Sequence, residues 1–199
     1  MDVLEAIRER RSARAFKSVS IPREMIEGIL RLTINAPSSN NLQPWEFIVV
    51  MGDEKNRLSR RLIKAYKEKQ ISCGSGAIKP LPEAVRQRGL QNLESMKPYV
   101  ERIGTSVDKF INEGSCGFYG APTAIIICLD DCFSARQMVD VGTAVGYLVL
   151  AAHAFGLVTC PIGLIAEYAD EIKDLLNIAD TKKVVMGIDG ADDELRVRV

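Results

Sequence analysis

Apolar residues recur along the chain at two spacings, and each spacing predicts an element. Val3, Leu4 and Ile7 mark one face of a short first helix that ends near Arg10-Arg11-Ser12. Pro22, after Ser20-Ile21, opens a second helix, on which Ile26, Ile29, Leu30, Thr33 and Ile34 recur at three- and four-residue steps. That helix stops before Ala36-Pro37, because proline disfavours helical geometry in the residue before it. Trp45-Glu46-Phe47-Ile48-Val49-Val50 is a β-branched and aromatic run that predicts a strand. A charged helix follows from about 54 to 69, and then a stretch from about 72 to 113 mixes glycines, prolines and polar helical pieces. Thr123 to Leu129 is apolar without a break, as in a strand buried on both faces. Residues from about 135 to 155 predict a helix apolar nearly all round, central in the fold or in an oligomer interface. Gly142 and Gly146, one turn apart on it, would let another helix come close. Thr159-Cys160-Pro161-Ile162-Gly163 reads as a loop, and a helix at about 170–176 and a strand at 183–188 precede a polar tail. Strands separated by helices give an α/β or α+β domain. With no linker, repeat or low-complexity tract, one domain over 1–199 is expected.

From Val141 to Ala166 no residue is charged, long enough to cross a bilayer. Gly156-Leu157 divides the run into two elements, Gly142, Gly146, Pro161 and His153 interrupt it, and no Lys/Arg cluster flanks it. A buried helix followed by a buried loop is the expectation, with no membrane partner. Lys+Arg and Asp+Glu are both 26, so the chain lacks the basic excess of a duplex-binding protein, and no nucleic-acid partner is expected. Cys73, Cys116, Cys128, Cys132 and Cys160 are odd in number and scattered, and Met1 to Glu5 is acidic where a secretory segment would be basic. Reduced thiols in a cytoplasmic protein are expected. Cys128 and Cys132 find no second ligand pair, and the one histidine, His153, lies in an apolar helix, so no metal site is expected.

Three features could carry chemistry. Arg8-Glu9-Arg10-Arg11-Ser12-Ala13-Arg14 packs four arginines and a hydroxyl into seven residues at a helix end. Guanidinium forks suit phosphate oxygens and ring carbonyls, although a basic helix end also complements the macrodipole. The loop Pro37-Ser38-Ser39-Asn40-Asn41-Leu42-Gln43-Pro44 gathers donors and acceptors between two prolines. The segment Thr159 to Gly163 could turn backbone N–H groups towards a planar ligand, its glycine permitting close approach. A G-x-G-x-x-G turn, a Walker lysine motif and a Ser-His-Asp set are missing, so an enzyme built on this chain would rely on a cofactor for reactivity.

Taken in order, these segments resemble the nitroreductase family of FMN-dependent oxidoreductases. The resemblance rests on Ile7-(x2)-Arg10-Arg11-Ser12-(x)-Arg14-(x)-Phe16 and on Ala36 to Phe47. Gly120-Ala121-Pro122, Asp140 to Ala144, and Gly156 to Gly163 add to it. It implies an α+β fold, a central mixed or antiparallel sheet flanked by helices, and an intertwined homodimer with two FMN sites at the subunit interface. By matched position, Arg10, Arg11, Ser12 and Arg14 would belong to the FMN site, and Arg196 and Arg198 would hold the phosphate. Pro37, Ser38, Ser39, Asn41 and Gln43 would come from the partner subunit, and the backbone of Pro161, Ile162 and Gly163 would lie against the flavin's N5 side. The implied activity passes hydride from NADH or NADPH to flavin N5 and then, ping-pong, to a nitroaromatic, quinone or similar flat electrophile. The segment 72–113 would roof that site and choose the acceptor. A dehalogenase-like relative of the same fold, a non-catalytic flavin-binding or redox-sensing dimer using Cys160, and a ligand-free dimer are the alternatives. The chain departs from the family where relatives commonly carry an aromatic Gly-Tyr-Pro-like turn, reading instead Gly187-Ile188-Asp189-Gly190-Ala191.

Overall fold

The computed structural model describes residues 2–16 and 19–192. Four strands, β1 (Trp45–Met51), β2 (Thr123–Asp130), β3 (Leu157–Ile162) and β4 (Lys182–Asp192), form one sheet in the order β1-β2-β4-β3. Every neighbouring pair is antiparallel, so the fold is α+β and its sheet is antiparallel rather than mixed. β2 alternates between two cores, which is why its sequence is an unbroken apolar run. Ala124, Ile126 and Cys128 enter one cluster, and Ile125, Ile127 and Leu129 enter the other.

Helices cover both faces. On the first, α3 (Gly52–Lys69) supplies Leu58 and Leu62, α5 (Val107–Cys116) supplies Cys116, and α7 (Ala169–Leu176) supplies Ile172. On the second, α2 (Arg23–Thr33) brings Ile26 and Ile29 against Val141, Leu148 and Ala152 of α6 (Met138–Ala154). α1 (Val3–Glu9) is capped by Asp2, whose carboxylate accepts from the Glu5 N–H at 2.9 Å. The stretch left unassigned from sequence holds α4 (Glu83–Arg102), with Pro98 inside it, and α5, capped by Ser106.

One expectation changes. The Thr159–Gly163 segment is mostly strand rather than loop, since β3 runs through Pro161 to Ile162. Proline is tolerated there because β3 is an edge strand, and a missing N–H on the open side breaks no ladder bond. The long apolar helix is central on one side only. Val141, Ala144, Leu148, Val149, Ala152 and His153 are buried, whereas Val139 is 71% and Tyr147 43% exposed. Beyond the helix's own backbone, no atom of the described residues lies within 4 Å of where a Cβ would stand on Gly142 or Gly146. The uncharged run ends its helix at Ala154 and turns at Gly156 (φ +79), and among the described residues no helix is long and apolar enough to cross a membrane.

Candidate active site

Beyond α1 the chain runs extended beside the free edge of β3. Ser12 pairs with Thr159 in a parallel bridge, and the Ala13 N–H donates to the Thr159 carbonyl at 3.2 Å. Extended backbone sends alternate side chains the same way, which groups Arg10, Ser12 and Arg14. All three lie near Cys160 of β3 and pull against the upward shift of its thiol. Burial, with the Asp189 carboxyl second, nevertheless pushes Cys160 up to about 12. A thiol so placed is the reverse of a reactive thiolate, which argues against Cys160 as a redox sensor.

Arg10 and Arg11 part company. Arg10 Nη1 is buried and has no hydrogen-bond partner among the described residues, an arrangement that asks for an acceptor from outside the chain. Arg11 turns its guanidinium back onto the carbonyls of Arg8 and Arg10, so it closes the end of α1.

Arg14 opens onto a cavity of about 460 Å³, within the usual range for a small-molecule site. Pro161, Ile162 and Gly163 line it, and so do the apolar side chains Leu90, Leu93 and Met96 of α4. Ser115 and Tyr119 line it from α5 and the turn that follows. Among the described residues, chain neighbours aside, nothing lies within 4 Å of a Cβ built on Gly163, so the backbone there stands open to a flat ligand. Paired with Cys160 of β3, Asp189 is fully buried, its Oδ1 accepting from the Cys160 N–H at 2.9 Å and its Oδ2 without a partner among the described residues. Burial pushes its carboxyl well up, against the pull of that hydrogen bond and of Arg14 and Lys55.

The Pro37–Gln43 loop stands elsewhere. It is pinned by the Gln43 N–H donating to Ser38 Oγ at 3.0 Å and by the Ser39 N–H donating to Asp140 Oδ2 at 3.3 Å, at the start of α6. Asn40, Asn41 and Gln43 all take left-handed backbone (φ 52, 56 and 45), which holds an outward-facing row of amides. Within one chain Pro37, Ser38, Ser39, Asn41 and Gln43 do not line the Arg14 cavity. Arg196 and Arg198 lie outside the described residues. Tyr119 and Ser115 were not singled out from sequence; the only signal was an aromatic pair, Phe118-Tyr119, directly before Gly120-Ala121-Pro122.

Residues 7–189 match the profile of the Nitroreductase family. The nitroreductase NfnB of Mycolicibacterium smegmatis is 32% identical over 186 residues, covering 92% of this chain and 79% of that protein. A 4-nitrobenzoate reductase of Pseudomonas putida is 29% identical, covering 92% of this chain and 81% of its own length. The crystal structure of the FMN-dependent nitroreductase NfnB from Mycobacterium smegmatis, in complex with NADPH, superposes with a TM-score of 0.83 at 26% identity. It covers 98% of this chain and 92% of that one.

Proposed function

Since the chain belongs to the nitroreductase family, we propose that it is an FMN-dependent oxidoreductase. It takes hydride from NADH or NADPH and passes it, ping-pong, to a nitroaromatic, quinone or similar flat electrophile. The observation that carries this reading is the one cavity shared by Arg14 and the Pro161-Ile162-Gly163 backbone. FMN fits the residues present. The unpartnered Arg10 Nη1 suits an anionic oxygen, the apolar wall of α4 suits a planar ring, and the cavity has room for one. When bound, FMN supplies a two-electron carrier that accepts hydride at one turn and yields it at the next.

The chain's own residues bind and tune. Arg10 and Ser12 hold the cofactor, and Arg196 and Arg198 grip its phosphate. Arg14 places a fixed positive charge at the cavity wall, where it favours the more electron-rich state of what it faces. Leu90, Leu93 and Met96, in the segment 72–113, keep water from the acceptor face. The site is completed by a second copy of the chain, whose Pro37, Ser38, Ser39, Asn41 and Gln43 reach it across the interface. The exposed apolar side chains Val3, Leu4 and Ile7 of α1, Leu32 of α2 and Val139 of α6 support that association.

Anaerobic spectroscopy tests this. The purified protein loaded with FMN should be yellow, bleach on adding NADPH or NADH, and regain colour on adding a nitroaromatic or quinone. A folded protein that stays colourless in excess FMN would overturn the reading.

A further inference from the structure

Resting on the function proposed above, we propose that Tyr119, paired with Ser115, gives a proton to the acceptor held in the cavity. Hydride alone does not complete the reduction of these acceptors. A nitro group taking up one hydride and one proton yields a nitroso group and water, and a quinone taking up the same pair yields a hydroquinone. The electron pair arrives with the hydride, and the second hydrogen must come from a positioned acid or from solvent. In this step the Tyr119 O–H bond breaks, an O–H bond forms on the acceptor oxygen, and the bonding pair stays on the phenolic oxygen. Ser115 then returns a proton to Tyr119 from water.

The turn that carries Tyr119 is held under strain. Phe118 and Tyr119 are bulky residues with left-handed backbone (φ 52 and 48), followed by Gly120 at φ 79. Such positions cost about 1–3 kcal/mol each and persist where surrounding structure fixes them. Helix α5 is notched to receive the ring, since a Cβ on Gly114 would stand 2.6 Å from Tyr119 Cε1. Phe110 also packs tilted against the ring, with ring centroids 5.5 Å apart. A phenylalanine would fill the same seat, so the hydroxyl calls for its own account. Tyr119 Oη lies 3.1 Å from Ser115 Oγ, and both residues line the cavity with Arg14. The other neighbour, the Ile111 carbonyl, is 3.5 Å away, too far to hold the phenolic hydrogen firmly.

The charged and titratable groups around the phenol agree. Burial raises its pKa above the usual phenol range, Cys160 and Asp189 push the same way, and the Ser115 hydrogen bond and Arg14 pull it back. Tyr119 therefore carries its proton at neutral pH, and Arg14 and Ser115 ease its loss.

The test uses Tyr119→Phe and Ser115→Ala in the FMN-loaded protein with two acceptors. A quinone needs a proton with its electrons, whereas ferricyanide needs none. Tyr119→Phe should lower the ratio of quinone to ferricyanide turnover on the order of a hundredfold, and Ser115→Ala should lower it less. A second readout needs no FMN. Ultraviolet titration of the phenolate band, wild type minus Tyr119→Phe, should place Tyr119 above the ordinary range, and Ser115→Ala should move it higher still. An unchanged ratio in Tyr119→Phe, with ferricyanide turnover intact, would make the ring a mere plug and overturn the proposal. An unmoved titration in Ser115→Ala would overturn the pairing. Wild-type protein that takes no FMN and reduces neither acceptor would overturn the function proposed above, and the donor with it.

Discussion

Asp189 is a carboxyl placed where water cannot follow. The register sets it beside Ala124 of β2 and Cys160 of β3, and Arg14 and Lys55 act on it as cations. Its folded-state pKa is raised, so the carboxyl keeps its proton in the fold and loses it in the unfolded chain. Stability is unaffected below the unfolded pKa near 4. It falls as pH rises above that value, by about 1.4 kcal/mol for each unit of the difference, until the folded group also ionises. Asp189→Asn keeps an oxygen for the Cys160 N–H and removes the titration. Its melting temperature should therefore exceed that of the wild type at pH 8 and approach it at pH 4; a gain that did not change with pH would contradict this. The role proposed for Arg14 belongs to the same scale but concerns the cofactor. Arg14→Ala should lower the two-electron potential of bound FMN by about 30 mV, equivalent to roughly 1.4 kcal/mol, as read by equilibration with a reference dye. An unchanged potential would remove Arg14 from the role of tuner.

At the scale of elements, two glycines fix how the layers meet. A Cβ on Gly187 of β4 would stand 2.5 Å from Ile165 Cδ1 and 3.3 Å from Phe118 Cε1, so only a bare strand lets the turn after β3 pack onto the sheet. Gly187→Ala should cost about 1–3 kcal/mol in denaturant unfolding. Gly114→Ala should cost a similar amount and also displace the Tyr119 ring, so it should lower quinone turnover, unlike Gly187→Ala at matched stability. Most elements were legible because their apolar periods match one buried face: α2, β1, β2, α6 and α7 lie close to the spans the pattern predicts. β3 was not, because Pro161 speaks against a strand although Val158, Thr159 and Ile162 are β-branched, and its pairing with β4 is a tertiary fact. α4 was obscure for a different reason. Its side chains are largely exposed within one chain, and Gly89 and Pro98 interrupt its apolar stripe of Val85, Leu90, Leu93, Met96 and Val100. The arginine cluster and the Pro161-Ile162-Gly163 segment could be flagged from sequence. That an added parallel bridge beside β3 brings them together could not.

For the whole molecule the decisive surface is the one that the packed core does not use. Ile7 is 58%, Val139 71% and Tyr147 43% exposed, and Gly142 and Gly146 leave the intervening face of α6 smooth. A second open cavity of about 470 Å³ lies here, lined by Val3, Ala6, Leu32, Tyr147 and Ala151 among others. Exposed apolar area of this extent favours burial against a like surface, and closed two-fold pairing is the commonest way to achieve it. The Pro37–Gln43 loop is tied to the start of α6 through Asp140, so an interface on α6 would carry that loop towards the other copy. The proposed shared site would link FMN binding to pairing, because a ligand held by both chains stabilises only the paired state. At 100 times its dissociation constant FMN should add about 2.7 kcal/mol, seen as a rise in melting temperature. Tyr147→Glu sets a charge in the middle of that surface. It should sediment as a monomer and lose most of the FMN-induced rise, although no residue of the Arg14 cavity has changed. A monomeric Tyr147→Glu protein that still bound FMN as tightly as the wild type would show that one chain suffices, and the Ser38 to Gln43 amides would lose their assigned place.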